Sequence, residues 1–445
     1  MRPLLTTILI FLAANVSYGQ PLTAWRVDDC MRYAVDNAPA ARRAELAYAD
    51  SRIDKTEAIA SFFPSISAGT SVQTSFGRSI DPITNVYDNI ANFNNSYSVS
   101  ASVPLFGGLN VLNNFRIAKI ATLQGKEEQA RVEDQIALMT MQSFFDAMFA
   151  AENYRYALQN LEEKRLLLSQ VKGQHSVGLK SAADVAQVEA DVAMSEATLI
   201  SYAGSRDMSM IKLKEQMNYP QDEELVLDSL FLDIMPSSPD RENSAEIAAN
   251  ALTFLPEARI ADYNVRSSSI NRTTALASLF PSLSLQGGYS TGYTRGINRN
   301  GSLYEPFREQ FRNRGGQYVG MSLSIPIFSG LGRVSRYRRA GNALKSAEQT
   351  RIETDRRLES EIIQAVADLE NAEKEYLQYL KGEEASRLSY EVTQAKYREG
   401  LLSFVDVQTT STQYMLARIN MNNARFRYHI KRRVVDYYKG EPYIR

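Results

Sequence analysis

The chain has 445 residues, of which 44% are hydrophobic and 23% are charged, and its formal net charge is −1. This balance allows a large core and gives no charge excess that would favour nucleic acid as a partner. Two histidines, His175 and His429, and one cysteine, Cys30, argue against a metal site, a disulfide framework and the usual nucleophile–base catalysis. We therefore predict no enzymatic activity, no catalytic residue, no metal and no cofactor.

Residues 1–19 have the pattern of a secretory signal peptide. Arg2 precedes an apolar run over residues 4–14, and the small residue Gly19 precedes the polar Gln20. The run is shorter than the roughly 20 residues that a transmembrane helix needs, and no later stretch approaches that length. The sequence therefore predicts an exported chain without a transmembrane helix.

Three short motifs occur twice along the chain in the same order. Residues 63–67 recur at 280–284, residues 103–109 at 325–331, and residues 178–185 at 400–407. The offsets are 217, 222 and 222 residues, so one loop is five residues longer in the second copy. Landmarks that recur at a nearly constant offset predict an internal duplication.

Each copy contains a long window without proline, at residues 105–219 and 327–441. Proline is excluded from helix interiors, and apolar residues within both windows step in threes and fours, so we predict long coiled-coil-like helices. At ~1.5 Å per residue, the first would reach roughly 100 Å. Gly178 and Gly400 suit helix ends, and a Ser-x-x-Asp capping box follows each of them. Each window is therefore predicted to be a hairpin of two helices.

The segments beside Pro64, Pro104, Pro281 and Pro326 alternate between apolar and polar residues, the period of a β-strand. Each run has about ten residues, which is the length of a tilted transmembrane strand. Aromatic residues expected at the membrane boundary stand where strands meet helices: Phe63, Phe106, Phe280 and Phe328. The alternative is two soluble hairpins packed on a helix, with these aromatics in the core.

Four strands cannot stand alone in lipid, because the N–H and C=O groups of an open edge would be unpaired. A spanning sheet then requires several copies of the chain. Two copies would give eight strands, whose interior side chains fill. Three would give twelve strands and a passage lined by the serine faces.

These repeated strand pairs and hairpins resemble the TolC family of outer-membrane channel proteins. The segment at 25–30 and the two Gly-Leu-x-Ser-x-x-Asp-Val turns carry the resemblance, which covers essentially the whole mature chain. It implies a mixed α+β membrane protein, in which a long antiparallel α-helical barrel is continuous with a transmembrane β-barrel. It also implies a homotrimer of twelve strands and two internal repeats per chain.

The resulting segmentation covers the whole chain. It begins with a signal peptide at 1–19 and a periplasmic N-terminal helix at 20–63. The first repeat continues with a transmembrane strand pair at 64–106, which has an extracellular loop at 77–95, and a long helical hairpin at 107–219, which has its tip near 178; an equatorial connector follows at 220–255. The second repeat has an entering helix at 256–280, a second transmembrane strand pair at 281–328 with an extracellular loop at 294–316, and a second long hairpin at 329–439 with its tip near 400, before a C-terminal tail at 440–445.

The resemblance also implies a gate at the periplasmic entrance. By position, Asp406 matches an aspartate of the family's entrance, Tyr397 matches a tyrosine of the closing contact, and Asp184 matches its partner in the first tip. Leu402 stands where the best-studied members have an arginine, and Thr409 where they have a second aspartate, so a different closing network is expected. The alternative for both aspartates is helix capping, which requires no pore.

The two tips are also candidates for docking a periplasmic adaptor, since an exposed leucine at a polar tip suggests a partner. These residues are Gly178, Leu179, Ser181, Gly400, Leu401 and Ser403. The alternative is a hydrophobic contact that seals each helix turn.

The resemblance thus implies an outer-membrane exit duct of a tripartite efflux or type I secretion system, with its helical part in the periplasm. The implied partners are two further copies of the chain, a periplasmic adaptor of the membrane-fusion type, an inner-membrane pump of the RND or ABC type, and outer-membrane lipid, but no nucleic acid. The alternative from another class is a soluble periplasmic coiled-coil adaptor that bridges the two membranes.

Overall fold

The computed structural model describes residues 24–80, 85–228, 243–297 and 305–444. The predicted signal peptide therefore lies outside the described residues. The helices and strands in chain order are α1 (Val27–Asn37), α2 (Pro39–Ala60), β1 (Ser65–Ile80), β2 (Tyr87–Phe106), α3 (Asn110–Ser176), α4 (Ala182–Met217), α5 (Ser244–Phe254), α6 (Pro256–Ala277), β3 (Ser282–Gly296), α7 (Phe307–Asn313), β4 (Gly316–Ser324), α8 (Gly332–Arg398) and α9 (Phe404–Tyr438).

The chain divides into two compact units. Unit 1 comprises the described residues within Met1–Arg42, Glu133–Ile247 and Ile362–Arg445, and unit 2 comprises those within Arg43–Val132 and Ala248–Glu361. Helices α3 and α8, of 67 residues each, contribute to both units.

Unit 1 contains α1, α4 and α9 together with the later parts of α3 and α8. Its core consists of apolar side chains at helical spacing, and the buried ones include Met141, Phe144, Leu161, Leu213, Met217, Ile362, Val366, Leu369, Phe426 and Val435. Burial of these side chains stabilises the packed helices, since each large aliphatic or aromatic side chain contributes about 1.5–3 kcal/mol when it is fully buried. Trp25 packs edge-on against Tyr33 of α1 and Tyr219, which anchors the beginning of the described chain.

Unit 2 contains a four-stranded antiparallel sheet in the order β1-β2-β3-β4. One face carries apolar side chains and the other carries serines, as period-two alternation requires. Cross-strand bonds join the serine face, with 3.0 Å between the Oγ atoms of Ser67 and Ser100 and 2.6 Å between those of Ser71 and Ser96. The apolar face is open in the single chain, where Val319 is 84% and Phe76 is 80% exposed.

The N-terminal helix predicted over 20–63 is two helices in the structure. Ala38 is extended, with φ −68° and ψ 131°, and separates α1 from α2. The residue before a proline is disfavoured in the helical region, so Pro39 ends the first helix and begins the second.

The two loops predicted at 77–95 and 294–316 are largely structured. Strand β1 reaches Ile80 and β2 begins at Tyr87. The sequence did not indicate this part of β2 because Asn92 and Asn94, which continue the polar face of the strand, are residues typical of loops. Within the second range, β3 continues to Gly296 and helix α7 follows at Phe307–Asn313.

The connector predicted over 220–255 contains a parallel bridge between Leu227 and Trp25 and ends in α5. No helix among the described residues combines the length and apolar character needed to cross a membrane.

Candidate functional site

The two tips named by the sequence, at 178–181 and 400–403, are turns of the same geometry. Gly178 has φ +80° and Gly400 has φ +79°, a left-handed conformation that favours glycine. The Leu179 N–H donates to the Gln174 carbonyl at 2.9 Å, and the Leu401 N–H donates to the Lys396 carbonyl at 2.9 Å. These bonds end α3 and α8 in Schellman motifs, which position the two loops.

A complete capping box begins the returning helix at each tip. The backbone N–H of Asp406 donates to the Ser403 hydroxyl at 3.3 Å, while the Asp406 carboxylate accepts the Ser403 hydroxyl at 2.6 Å and its backbone N–H at 2.9 Å. Ser181 and Asp184 repeat the pattern at the start of α4. Both aspartates therefore act as helix-capping residues within one chain.

These hydrogen bonds favour the charged form of each aspartate. The Ser403 hydroxyl, followed by its backbone N–H, lowers the pKa of Asp406, and the backbone N–H and hydroxyl of Ser181 lower the pKa of Asp184. A carboxyl group with a lowered pKa stabilises the fold above its ordinary pKa and loses that contribution as pH falls through the lowered value. Both caps therefore remain charged throughout the neutral range.

Replacing Ser403 with alanine is expected to fray the first turn of α9, because the serine satisfies an otherwise unpaired N–H. N-cap loss costs about 1 kcal/mol, so hydrogen exchange there should accelerate several-fold, and the pKa of Asp406 should rise toward its ordinary value. Hydrogen–deuterium exchange across a pH series measures both effects. Thr409→Ala, which removes a helix-interior hydroxyl bonded to the Val405 carbonyl, is the control and should change neither. Equal effects of the two variants would contradict the capping assignment.

Tyr397 lies in a buried apolar cluster behind the tips, so the structure does not bring it together with the exposed Asp406. The buried residues of this cluster are Val171, Val188, Tyr390, Tyr397, Phe404 and Val407. The Lys180 ammonium is 4.5 Å from the centre of the Tyr397 ring, and the Phe404 ring packs edge-on against it. Within the described part of the chain the Tyr397 hydroxyl is buried without a hydrogen-bond partner. Tyr397 therefore holds the two tips together in this chain, with Lys180 from the first tip covering it.

The tip leucines are open in the single chain. Leu179 is 74% and Leu401 is 67% exposed, so neither seals its own turn by burial. Val177 and Val405 are also exposed, and Leu402 is half-buried. Neither valine is among the residues predicted for docking, although Val177 precedes the first tip motif and Val405 lies within the second. The tips therefore present an apolar surface of Val177, Leu179, Leu401 and Val405, which we call the tip patch.

An ion pair that sequence reasoning also missed ties three helices together near the tips. Lys164 Nζ of α3 lies 2.9 Å from Asp191 Oδ1 of α4, and the two side chains are only 14% and 7% exposed. The same carboxylate oxygen accepts a bond from Gln408 Nε2 of α9 at 3.3 Å. The signal in the sequence was a charged residue inside an otherwise apolar helical stripe.

Two of the titratable side chains that the sequence singles out, Cys30 and His429, are largely buried. Burial, followed by the nearby Asp29, raises the pKa of the Cys30 thiol to about 12, and burial with Arg425 and Arg433 lowers the pKa of His429 to about 4. Among the residues that the structure describes, no cluster of three or more His, Cys, Asp or Glu could hold a metal ion.

The four phenylalanines predicted at the membrane boundary lie at one end of the sheet. Phe63 precedes β1, Phe106 ends β2, Phe280 precedes β3, and Phe328 follows β4. In the antiparallel register these positions coincide, since Ser65 pairs with Ser102 and Ser282 pairs with Ser324. All four rings are exposed in the single chain.

Comparison with known proteins identifies the class. A family model described as outer membrane efflux protein matches residues 32–218 and 250–436. The chain is 24% identical to the outer membrane protein TolC of Vibrio cholerae over 68% of this chain and 67% of that protein. It is 23% identical to the pyoverdine export outer membrane protein OpmQ of Pseudomonas aeruginosa over 78% of this chain and 70% of that protein.

Solved structures share the fold at lower identity. CusC superposes with a TM-score of 0.78 at 16% identity over 95% of both chains. The outer membrane protein VceC of Vibrio cholerae superposes with a TM-score of 0.74 at 12% identity over 94% of this chain and 96% of that one. The open-state channel MtrE of Neisseria gonorrhoeae gives 0.74 at 18% identity, over 93% and 88%.

The chain belongs to the outer membrane efflux protein family and is an outer-membrane protein. The resemblance to TolC drawn from the sequence is thereby confirmed. The periplasmic adaptor alternative receives no support from these comparisons.

Proposed function

We propose that three copies of this chain form an outer-membrane exit duct, which passively conducts substrates delivered by a periplasmic adaptor and an inner-membrane pump. In this proposal residues 1–19 are removed on export, the two strand pairs span the membrane, and the two helical hairpins lie in the periplasm. The similar lengths of α3 and α8, at 67 residues each, and of α4 and α9, at 36 and 35, support an origin by internal duplication.

The observation that carries this proposal is the open four-stranded sheet. The outer edges of β1 and β4 have no neighbouring strand among the described residues, and each unpaired backbone group would cost several kcal/mol in hydrocarbon. Pairing β1 of one copy with β4 of the next removes both edges. Three copies give twelve strands with the serine faces inward, wide enough for a water-filled passage, and the exposed apolar faces toward lipid.

The phenylalanine end of the sheet fits the periplasmic boundary of the membrane. Girdles of aromatic residues flank the apolar band of outer-membrane barrels at both membrane–water interfaces. Four residues would form such a girdle when the sheet closes, because they share one end of the sheet: Phe63, Phe106, Phe280 and Phe328.

The tip patch supports a periplasmic partner at the entrance. The tip patch consists of four exposed apolar side chains at two otherwise polar tips, and such a surface suits docking against another protein. A photo-crosslinking residue at Leu401 is expected to capture an adaptor protein in intact cells, whereas the same probe at the exposed Lys381 of α8 serves as the control. A probe at Leu401 that captures no more adaptor than the control would contradict docking at the patch.

Asp406→Ala tests whether the capping aspartate also acts on ions at the entrance. In a trimer, three copies of this exposed carboxylate form a ring that favours cations. We expect the variant to show lower cation preference and weaker block by multivalent cations in a planar bilayer. Ser403→Ala weakens the same cap but keeps the Asp406 carboxylate, so it controls for fraying of this turn. Unchanged selectivity in Asp406→Ala, or the same change in both variants, would leave capping as the only role.

The duct itself is tested by conductance. The purified mature protein should form long-lived pores in a synthetic bilayer and remain in the outer membrane after a carbonate wash. A protein that forms no pores, or that is removed by carbonate, would contradict the proposal.

A further inference from the structure

Helix α7 lies on the apolar face of the sheet, near the end opposite the phenylalanines. The Phe307 and Phe311 rings pack edge-on against Tyr97 at 6.2 and 5.4 Å, and Phe307 also packs against Tyr293 at 5.4 Å. The Thr291 hydroxyl donates to the Phe311 carbonyl at 2.6 Å. These contacts fix α7 on the side of the sheet that the proposed barrel turns toward lipid.

The same helix completes β3 where its neighbouring strand is absent. β4 pairs with β3 only as far as Ser290, which leaves the edge of β3 open beyond that residue. The fully buried Gln310 side chain accepts the Thr294 N–H at 3.0 Å and donates to the Thr294 carbonyl at 3.1 Å. The Gln310 amide thus satisfies the Thr294 backbone groups in place of the missing strand, so α7 is hydrogen-bonded to the edge of β3.

The height of α7 follows from strand geometry. Ten residues of β3 separate Leu283, beside the phenylalanine end, from Tyr293, under α7. At ~3.4 Å per residue and a tilt of about 40°, they span roughly 25 Å, which is the height of the apolar band of an outer-membrane barrel. Helix α7 therefore lies at the level of the outer-leaflet headgroups.

The exposed surface at this level is positively charged. Arg295, Arg308, Arg312 and Arg314 are exposed, while the exposed acidic residues of the same segment are Glu305 and Glu309. Short amphipathic helices with aromatic residues on one face and arginines on the other bind at membrane interfaces, and arginine pairs well with phosphate. We call these four residues the arginine cluster.

An apolar groove adjoins the helix on the lipid-facing side. It has a volume of about 400 Å³, and its walls include Ala68, Thr70, Tyr97, Val99, Tyr289 and Phe311. The groove and the arginine cluster together provide space for an acyl chain and counter-charges for a phosphate.

We propose that helix α7, its arginine cluster and the adjoining groove bind lipopolysaccharide, the phosphorylated lipid of the outer leaflet, with an acyl chain in the groove and a phosphate on the arginines. This inference rests on the proposed barrel, because it needs the apolar face to meet lipid. No step of conduction requires it. The bound lipid stabilises the assembled protein, since a ligand that binds only the folded state raises its stability.

The test compares the wild-type protein with the triple variant Arg308→Gln, Arg312→Gln, Arg314→Gln. The control variant, Lys345→Gln, Lys374→Gln, Lys381→Gln, removes the same charge from exposed positions of α8. Native mass spectrometry and thermal unfolding in detergent are recorded with purified lipopolysaccharide, with its enzymatically dephosphorylated form, and with phosphatidylglycerol. Pore formation is measured in parallel for every variant.

We expect lipopolysaccharide to bind the wild type and the α8 control and to raise the midpoint of their thermal unfolding. It should bind the triple variant at least tenfold more weakly. Dephosphorylated lipopolysaccharide should have little effect. Equal binding by the triple variant, or an equal response to phosphatidylglycerol, would overturn the inference while leaving a pore-forming protein. A wild type that forms no pores would instead contradict the proposed duct.

Discussion

Replacing Lys164 with methionine is expected to destabilise the packed tips by about 3–5 kcal/mol. The substitution keeps the length and apolar stem of the side chain but removes the ammonium that neutralises Asp191 at 2.9 Å. Removing one partner of a buried ion pair leaves an uncompensated charge in the interior, and Gln408 supplies only one neutral hydrogen bond to it. Because this carboxylate joins α3, α4 and α9, the loss should loosen all three helices.

The exposed pair between Lys172 and Glu189 provides a matched control. It joins the same two helices, α3 and α4, at 2.7 Å, but its side chains are 53% and 48% exposed. Exposed ion pairs contribute little, so Lys172→Met should cost less than about 1 kcal/mol. Hydrogen–deuterium exchange of peptides from α4, together with urea unfolding midpoints in detergent, separates the two variants. Similar losses in both would show that burial does not determine the contribution of the Lys164 pair.

Replacing Gly108 with alanine is expected to cost about 3 kcal/mol and to lower the yield of folded protein. Gly108 has φ +60°, and a Cβ there would overlap the carbonyl oxygen of Ala277 and lie 2.9 Å from its carbonyl carbon. A backbone atom cannot move aside as a flexible side chain can, so the overlap adds to the cost of the left-handed conformation.

Gly330, which lies 222 residues later in the matching motif, distinguishes the two causes. It has φ +58°, but a Cβ there would meet no atom within 4 Å. Gly330→Ala should therefore show only the conformational cost of about 1–2 kcal/mol. Thermal unfolding of the two detergent-solubilised variants measures the difference. Equal stabilities would contradict the close approach of Ala277 to Gly108.

The long helices could be predicted from the sequence because their determinants are local. The absence of proline between Leu105 and Tyr219 defines the first window, and Gly178 with the Ser181 box locates its turn. Each of these signals acts through the backbone of its own few residues, so a single sequence contains all the information needed.

The ends of the strands could not be predicted in the same way. Asn92 and Asn94 suit a loop by composition, yet they occupy the polar face of β2, and only the register with β1 reveals this. Helix α7 was similarly hidden in a segment rich in Gly, Asn and Arg. The spacing of Phe307 and Phe311 was its signal, but Gln310 acquires its role only from the open edge of β3.

At the tips, the sequence located the capping residues but not the environment of Tyr397. The family resemblance implies a closing contact at the entrance for this tyrosine. Within the single chain the structure buries its ring under Lys180, from a tip more than two hundred residues earlier. Long-range packing of this kind, like the pairing of Lys164 with Asp191, depends on how two hairpins meet and is not encoded in either motif alone.

The number of chains in the assembled protein tests the twelve-stranded barrel most directly, because the proposal requires other copies to cover the two open edges of the four described strands. Native mass spectrometry of the mature protein, extracted from the outer membrane in mild detergent, measures that number. We expect one species with three times the mass of a single mature chain. A single-chain or two-chain species as the only folded form would contradict the twelve-stranded barrel.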